Sequence, residues 1–322
     1  MDGRPIGVFD SGVGGLAVLW ALAGLLPDER LVYHADAAHF PYGERSEAEV
    51  RALSLAAAER LVESFDIKQL VVACNTATSV ALSDLRLRLD LPVTGIEPAI
   101  RPAVARTRVG RIGVLATRAT AAGTRLSELI AREAGDVEVL VAPAPALVEA
   151  VEQGLIDSER TDVALRAALE PLRTAAVDVV VLGCTHFAFV GSAVQQILGP
   201  GVTVLEPAGV VARQAARVLA ERDLLAPPEA RGSLTYTSSG DVRELEERAS
   251  RLRTVLYPPP EPPLRRAAGP LGGAGRGGTR REQASGSERR AMENAALLAG
   301  APAAEGDMVH RPFYFMTNSE DR

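Results

Sequence analysis

Short apolar runs rich in β-branched residues alternate along the chain with longer Ala/Leu/Arg stretches of helical period. The runs fall at 6–9, 30–34, 69–73, 93–96, 111–116, 137–141, 178–183 and 203–205, and the helical stretches at 15–26, 46–65, 76–89, 120–134, 160–175 and 209–221. Apolar strands separated by helices are the signature of βαβ units, in which a mostly parallel sheet is covered on both faces. Residues at the carboxyl ends of such strands face the ligand crevice.

Comparing the chain with itself extends the expectation. Ile96-Glu97-Pro98-Ala99 matches Leu205-Glu206-Pro207-Ala208 at an offset of 109, Cys74 matches Cys184 at 110, and Gly7-Val8-Phe9-Asp10 resembles Gly113-Val114-Leu115-Ala116 at 106. A duplicated unit of this length predicts an α/β fold of two similar, pseudo-two-fold related domains. Each would be a mostly parallel sheet flanked by helices, with the active site in the cleft between them. The expected division is 1–97 plus 208–256 for the first domain and 98–207 for the second. Residues 257–322 turn to Pro, Gly, Ala, Arg and Ser, and hold a lone aromatic cluster at 310–316. Such a composition cannot offset its ordering entropy, so a disordered tail is expected there.

Composition narrows the function. The 322 residues suffice for two domains of ordinary size, and 47% hydrophobic with 24% charged residues is ordinary for a globular protein. A net charge of -6, with no dense basic patch in the part expected to fold, makes nucleic acid an unexpected partner. No apolar run approaches the roughly 18 residues of a membrane span. The chain opens on a strand rather than a charged leader, so a cytoplasmic location is expected. There the two cysteines are expected to be free thiols.

Those cysteines carry the candidate chemistry. Cys74 ends the run Leu70-Val71-Val72-Ala73 and Cys184 ends Val179-Val180-Val181-Leu182-Gly183, each followed by a polar turn. One buried cysteine at a strand end is ordinarily core packing. Two in equivalent settings read as matched weak acids for proton exchange on both faces of one carbon. Each stands before a helix start, whose dipole is expected to favour thiolate and lower the pKa. Asn75, Thr76 and Thr185 supply donors suited to an α-carboxylate, and His186 is placed as base or proton donor beside Cys184. Asp10-Ser11-Gly12-Val13-Gly14-Gly15 lacks the spacing of a dinucleotide fingerprint. Its backbone N–H groups suit a carboxylate, while Asp10 suits an ammonium group or a proton relay. Tyr42 and Gly43 lie in a polar loop able to close over a substrate, and Glu152 lies on a short helix ending at Gly154, where a glutamate is ordinarily solvated. Three widely split soft ligands do not make a zinc site, and no metal is expected.

The segments Gly7-Val8-Phe9-Asp10-Ser11-Gly12-Val13-Gly14-Gly15-Leu16, Pro41-Tyr42-Gly43, Ala73-Cys74-Asn75-Thr76-Ala77-Thr78, Gly95-Ile96-Glu97-Pro98 and Leu182-Gly183-Cys184-Thr185-His186 occur together across residues 5–256. On them the chain resembles the glutamate racemases of the aspartate/glutamate racemase superfamily. The resemblance implies cofactor-independent interconversion of L- and D-glutamate for peptidoglycan synthesis, in a homodimer. Cys74 would take the proton from D-glutamate and Cys184 from L-glutamate, with Asp10 and His186 assisting their respective thiols and Glu152 an additional helper. Asp10, Ser11, Tyr42, Gly43, Asn75, Thr76, Thr185 and His186 match the substrate contacts. Phe187-Ala188 stands where Tyr-Pro is usual, and Glu206 where Asp is common. A sister racemase or one-cysteine decarboxylase or isomerase of the superfamily, and a ligand-binding module that kept the fold, are the competing readings.

Overall fold

Each apolar run of the sequence becomes a strand with a helix behind it. The computed structural model describes residues 1–228 and 230–256; the expected tail and its aromatic cluster lie outside the described residues. The first half runs β1 (Ile6–Asp10), α1 (Leu16–Leu25), β2 (Arg30–Ala35), α2 (Glu47–Phe65), β3 (Gln69–Val72), α3 (Asn75–Arg88), β4 (Val93–Gly95) and α4 (Ile100–Val104). The second runs β5 (Arg111–Ala116), α5 (Arg118–Ala122), α6 (Thr124–Glu133), β6 (Glu138–Pro143), α7 (Pro145–Glu152), α8 (Glu159–Thr174), β7 (Val179–Gly183), α9 (Gly191–Leu198) and β8 (Thr203–Leu205). The chain then adds α10 (Ala208–Glu221), β9 (Ser233–Ser238) and α11 (Val242–Leu256).

The strands form two all-parallel sheets, ordered β4-β3-β1-β2-β9 and β6-β5-β7-β8. Counted within its own lobe, each set of four runs fourth, third, first, second, so the strand order repeats as the offsets predict. β9 extends the first sheet beside β2. Cys74 and Cys184 both follow the third strand of their lobe, next to the central first strand. The α/β class and the two helix-flanked parallel sheets expected from the sequence are thus the ones observed.

Local chemistry fixes the element ends. Ser46 caps α2 reciprocally with Glu49, and Thr117 and Ser158 cap α5 and α8 by accepting from the backbone N–H three residues on. Where one helix is expected over 120–134, the backbone at Gly123 turns extended and splits it into α5 and α6. α1 is apolar nearly all round and is buried between the first sheet and α10. One apolar core runs from β1 and α1 through Leu115 and Phe187 to α8, so both lobes share it. The unusual Phe187-Ala188 pair lies within that core, and Glu206 accepts from Ala208 N at 2.8 Å at the start of α10. No helix among the described residues is long and apolar enough to cross a membrane.

Candidate active site

The carboxyl ends of β1, β3 and β7 bring the two cysteines into one polar cluster. Cys74 and Cys184 are each 5% exposed and unpaired by disulfide. Cys74 Sγ lies 3.7 Å from Ser11 Oγ, which donates to Asp10 Oδ1 at 3.2 Å. Asp10 Oδ2 accepts from Thr185 Oγ1 at 3.2 Å, and Thr185 directly follows Cys184. Cys184 Sγ lies 3.8 Å from His186 Nδ1, and His186 Nε2 meets Glu152 Oε2 at 2.9 Å. A chain of polar contacts therefore leads from one thiol, through the first lobe's turn, to the segment bearing the other.

The glycines of 10–15 allow this approach. A side chain at Gly14 would run into His186 and Thr185, and one at Gly12 into Glu152. The turn does bind a carboxylate, as its N–H groups suggest, but a protein one: Val13 N donates to Glu152 Oε2 at 3.0 Å. Glu152 is accordingly buried rather than solvated.

Asn75 is the unsatisfied member of the cluster. It is buried, yet neither its amide nitrogen nor its oxygen has a hydrogen-bond partner. Native interiors rarely leave such groups orphaned, and a site awaiting a polar ligand is one reason they do. Thr76 Oγ1, on the next residue, lies 3.4 Å from Thr117 Oγ1. Tyr42 is buried and donates its hydroxyl to Asp36 Oδ2 at 2.6 Å, which holds the Tyr42–Glu44 turn, and Gly43 packs toward Thr117.

Burial and neighbouring charge act together on the cluster. Burial and then the charge of Asp10 push the Cys74 thiol well up, outweighing the N–H of Ala77 at the start of α3. The lowered pKa expected there from the helix start is overturned for this reason. Cys184 is followed by a 3-10 stretch, Thr185–Val190, rather than an α-helix, and α9 begins only at Gly191. Burial of His186 favours its neutral form, but hydrogen bonds to Cys184 and Glu152 and their charges raise its pKa well above the usual value. Burial works against ionised Glu152, yet His186, Val13 N and Arg248 bring its pKa below the usual value. Asp10 is raised by burial, only partly offset by His186. Among the described residues, no three His, Cys, Asp or Glu side chains form a group able to hold a metal ion.

Asp10, Ser11, Cys74, Glu152, Cys184, Thr185 and His186 are joined by these contacts, while Asn75 and Thr76 follow Cys74 and Tyr42 and Gly43 contact Asp36 and Thr117. Three participants were missed. Arg248 of α11 donates to Glu152 Oε1 at 3.2 Å, Asp36 receives Tyr42, and Thr117 faces Thr76. The sequence signal for Arg248 was the helical spacing of Leu245, Ala249 and Leu252, which buries one edge of α11.

Two buried thiols joined by one polar cluster, each after the third strand of a repeated parallel sheet, define a class. Residues 17–215 match the family model described as Asp/Glu/Hydantoin racemase. A glutamate racemase of Herpetosiphon aurantiacus is 47% identical over 241 residues, covering 75% of this chain and 94% of its own. The chain belongs to the Asp/Glu/hydantoin racemase family, among its glutamate racemases. Solved structures agree. A glutamate racemase of Bacillus anthracis superposes with a TM-score of 0.71 at 32% identity, over 78% of this chain and 94% of that one. The Escherichia coli glutamate racemase, solved with L-glutamate and the activator UDP-MurNAc-ala, gives 0.68 at 35% identity, over 77% and 95%.

Proposed function

We propose that this protein interconverts L- and D-glutamate by proton transfer between two thiols, without a cofactor. The carrying observation is the polar chain that links Cys74 through Ser11 and Asp10 to Thr185, between Cys184 and its partner His186. In the L-to-D direction Cys184 thiolate takes the Cα proton and the Cys74 thiol delivers its own to the opposite face. The products are D-glutamate, a Cys184 thiol and a Cys74 thiolate. The reverse direction exchanges the two roles. The raised Cys74 pKa supports Cys74 as the resting acid, and the raised His186 pKa supports a proton held beside Cys184.

The Cα proton is far less acidic than a thiol, so the negative charge building on the substrate carboxylate needs fixed donors. The orphaned Asn75 amide supplies one, and the buried hydroxyls of Thr76 and Thr185 are further donors. Pyridoxal chemistry starts from a lysine Schiff base. The chain's single lysine, Lys68, is instead buried against Glu29 at 2.6 Å, at the amino end of β3 and away from Cys74. Because Cys74, Asn75, Cys184 and His186 are all buried, an amino acid enters only when the walls part, which supports closure about the substrate. Strand membership supports the division into 1–97 plus 208–256 and 98–207 as the moving lobes. The D-glutamate formed feeds peptidoglycan synthesis and so cell shape, in the cytoplasm, and the enzyme works as a homodimer.

The test is exchange of the α-proton in deuterated buffer without added cofactor, with circular dichroism of the product, for L-glutamate against L-aspartate. Racemisation of glutamate that is lost in both Cys74→Ala and Cys184→Ala is the expected result. Two-way activity surviving either change, or a preference for aspartate, overturns the reading.

A further inference from the structure

Glu152 is gripped from two sides. Its Oε2 faces inward to His186 Nε2 at 2.9 Å and Val13 N at 3.0 Å, while its Oε1 accepts from Arg248 Nη1 at 3.2 Å. We propose that Arg248 is a positioning residue of the reaction, holding the Glu152 carboxylate in the orientation that keeps His186 aimed at Cys184. This rests on the two-thiol reading above.

α11 is seated by Leu245, Ala249 and Leu252, a buried stripe at i, i+4 and i+7, so the place of Arg248 is set by the core. Its Nη2 donates to Glu244 Oε2 at 3.1 Å one turn back, which fixes the guanidinium between two carboxylates. The Glu152 side chain is 8% exposed, so without Arg248 its Oε1 becomes a desolvated, unpaired charge and the carboxylate is free to turn from His186. By contrast Arg251, on the same helix, pairs with Glu247 at 3.8 Å where both side chains are at least 70% exposed.

The groups whose charge reaches Glu152 are His186 after β7, Asp10 at the end of β1, Tyr33 of β2 and Arg248 of α11, with Glu244 behind the arginine. His186 and Arg248 favour the carboxylate, and Asp10 opposes it. Loss of Arg248 therefore lets Glu152 protonate at a higher pH, taking the counter-charge from His186.

The test uses the full chain, with racemisation of glutamate followed by circular dichroism across pH. Arg248→Gln is expected to lower kcat/KM roughly tenfold, the scale of one hydrogen bond to a charged group, and to move the acidic limb of the profile to higher pH. Arg248→Lys recovers most of both, and Arg251→Gln stays within about twofold of the parent. In a Glu152→Gln background, Arg248→Gln has no further effect, because the two act as one unit. Arg248→Met keeps the aliphatic stem and gives the same readings where Arg248→Gln folds poorly. An unchanged rate in both neutral variants, or an equal loss in the Glu152→Gln background, overturns the role of Arg248. A parent chain that does not racemise glutamate overturns the two-thiol reading instead.

Discussion

Asp10 accepts a hydrogen bond of 3.2 Å from Thr185, so a carboxylate at the end of the first sheet is tied to the residue that follows the second sheet's cysteine. The same carboxylate, through Ser11, adjoins the first cysteine. Its charge is the second cause, after burial, of the raised Cys74 pKa. Asp10→Asn removes that charge at nearly constant volume. Alkylation of Cys74 by iodoacetamide, followed by mass spectrometry against pH, should then shift to lower pH than in the parent. Racemisation should fall by about a hundredfold or more, the scale of a lost acid–base partner. An unshifted alkylation profile would rule out Asp10 as a cause of the raised thiol.

The Glu152–His186 pair makes stability depend on pH with a defined sign. The folded pKa of Glu152 lies below its ordinary 4.5, so its contribution is full above 4.5 and fades as pH falls through the lowered value. The folded pKa of His186 lies above its ordinary 6.5, so its contribution is full below 6.5 and fades as pH rises through the raised value. Glu152→Gln should therefore cost roughly 1–3 kcal/mol, most of all between pH 4.5 and 6.5, with a smaller deficit on either side. Urea unfolding at a series of pH values measures it, and a deficit independent of pH would sink the assignment.

Two glycines ten residues apart, Gly14 and Gly24, should respond in opposite ways. Gly14→Ala puts a methyl group into His186 and Thr185 and should abolish racemisation. Gly24, inside α1, has nothing within 4 Å of its hypothetical Cβ. Gly24→Ala should raise stability by about 0.5–1 kcal/mol through helix propensity alone and leave the rate unchanged. Thermal unfolding and a racemisation assay on both variants check this.

Asn75 separates ligand binding from folding. Its side-chain amide is buried without a partner, so Asn75→Leu removes no hydrogen bond from the resting protein. Replacing an unsatisfied polar group with an apolar one of similar size is close to neutral or stabilising. The melting temperature should hold or rise while racemisation falls by about tenfold to a hundredfold. A large loss of stability would show that the amide has a structural role instead.

Much of the frame was legible because parallel strands buried on both faces write unbroken Val/Ile/Leu runs, as in residues 69–73 and 179–183. The edge strand β9 escaped notice since Ser233-Leu234-Thr235-Tyr236-Thr237-Ser238 alternates and is only half buried. α11 escaped with it, its narrow stripe of Leu245, Ala249 and Leu252 hidden among Glu and Arg, and so Arg248 was not reached. The cysteines and their polar neighbours stand in short local motifs, which a sequence displays directly. What surrounds a thiol comes from distant segments: Asp10 lies 64 positions before Cys74 and outweighs, together with burial, the helix start next to it. Local spacing can single out a thiol but not the net field upon it.

The repeated strand order gives the protein two halves of one design, yet their furnishings differ: Asp10 through Ser11 beside Cys74, and a chain of contacts from His186 through Glu152 to Arg248 beside Cys184. Enantiomers in an achiral solvent have equal free energy, so kcat/KM must be identical for both at every pH. Under the proposed two-thiol mechanism, the two unliganded protonation forms of the catalyst are under no such equality. An unequal resting population lets turnover numbers for the mirror-image substrates diverge, provided their Michaelis constants diverge by the same factor.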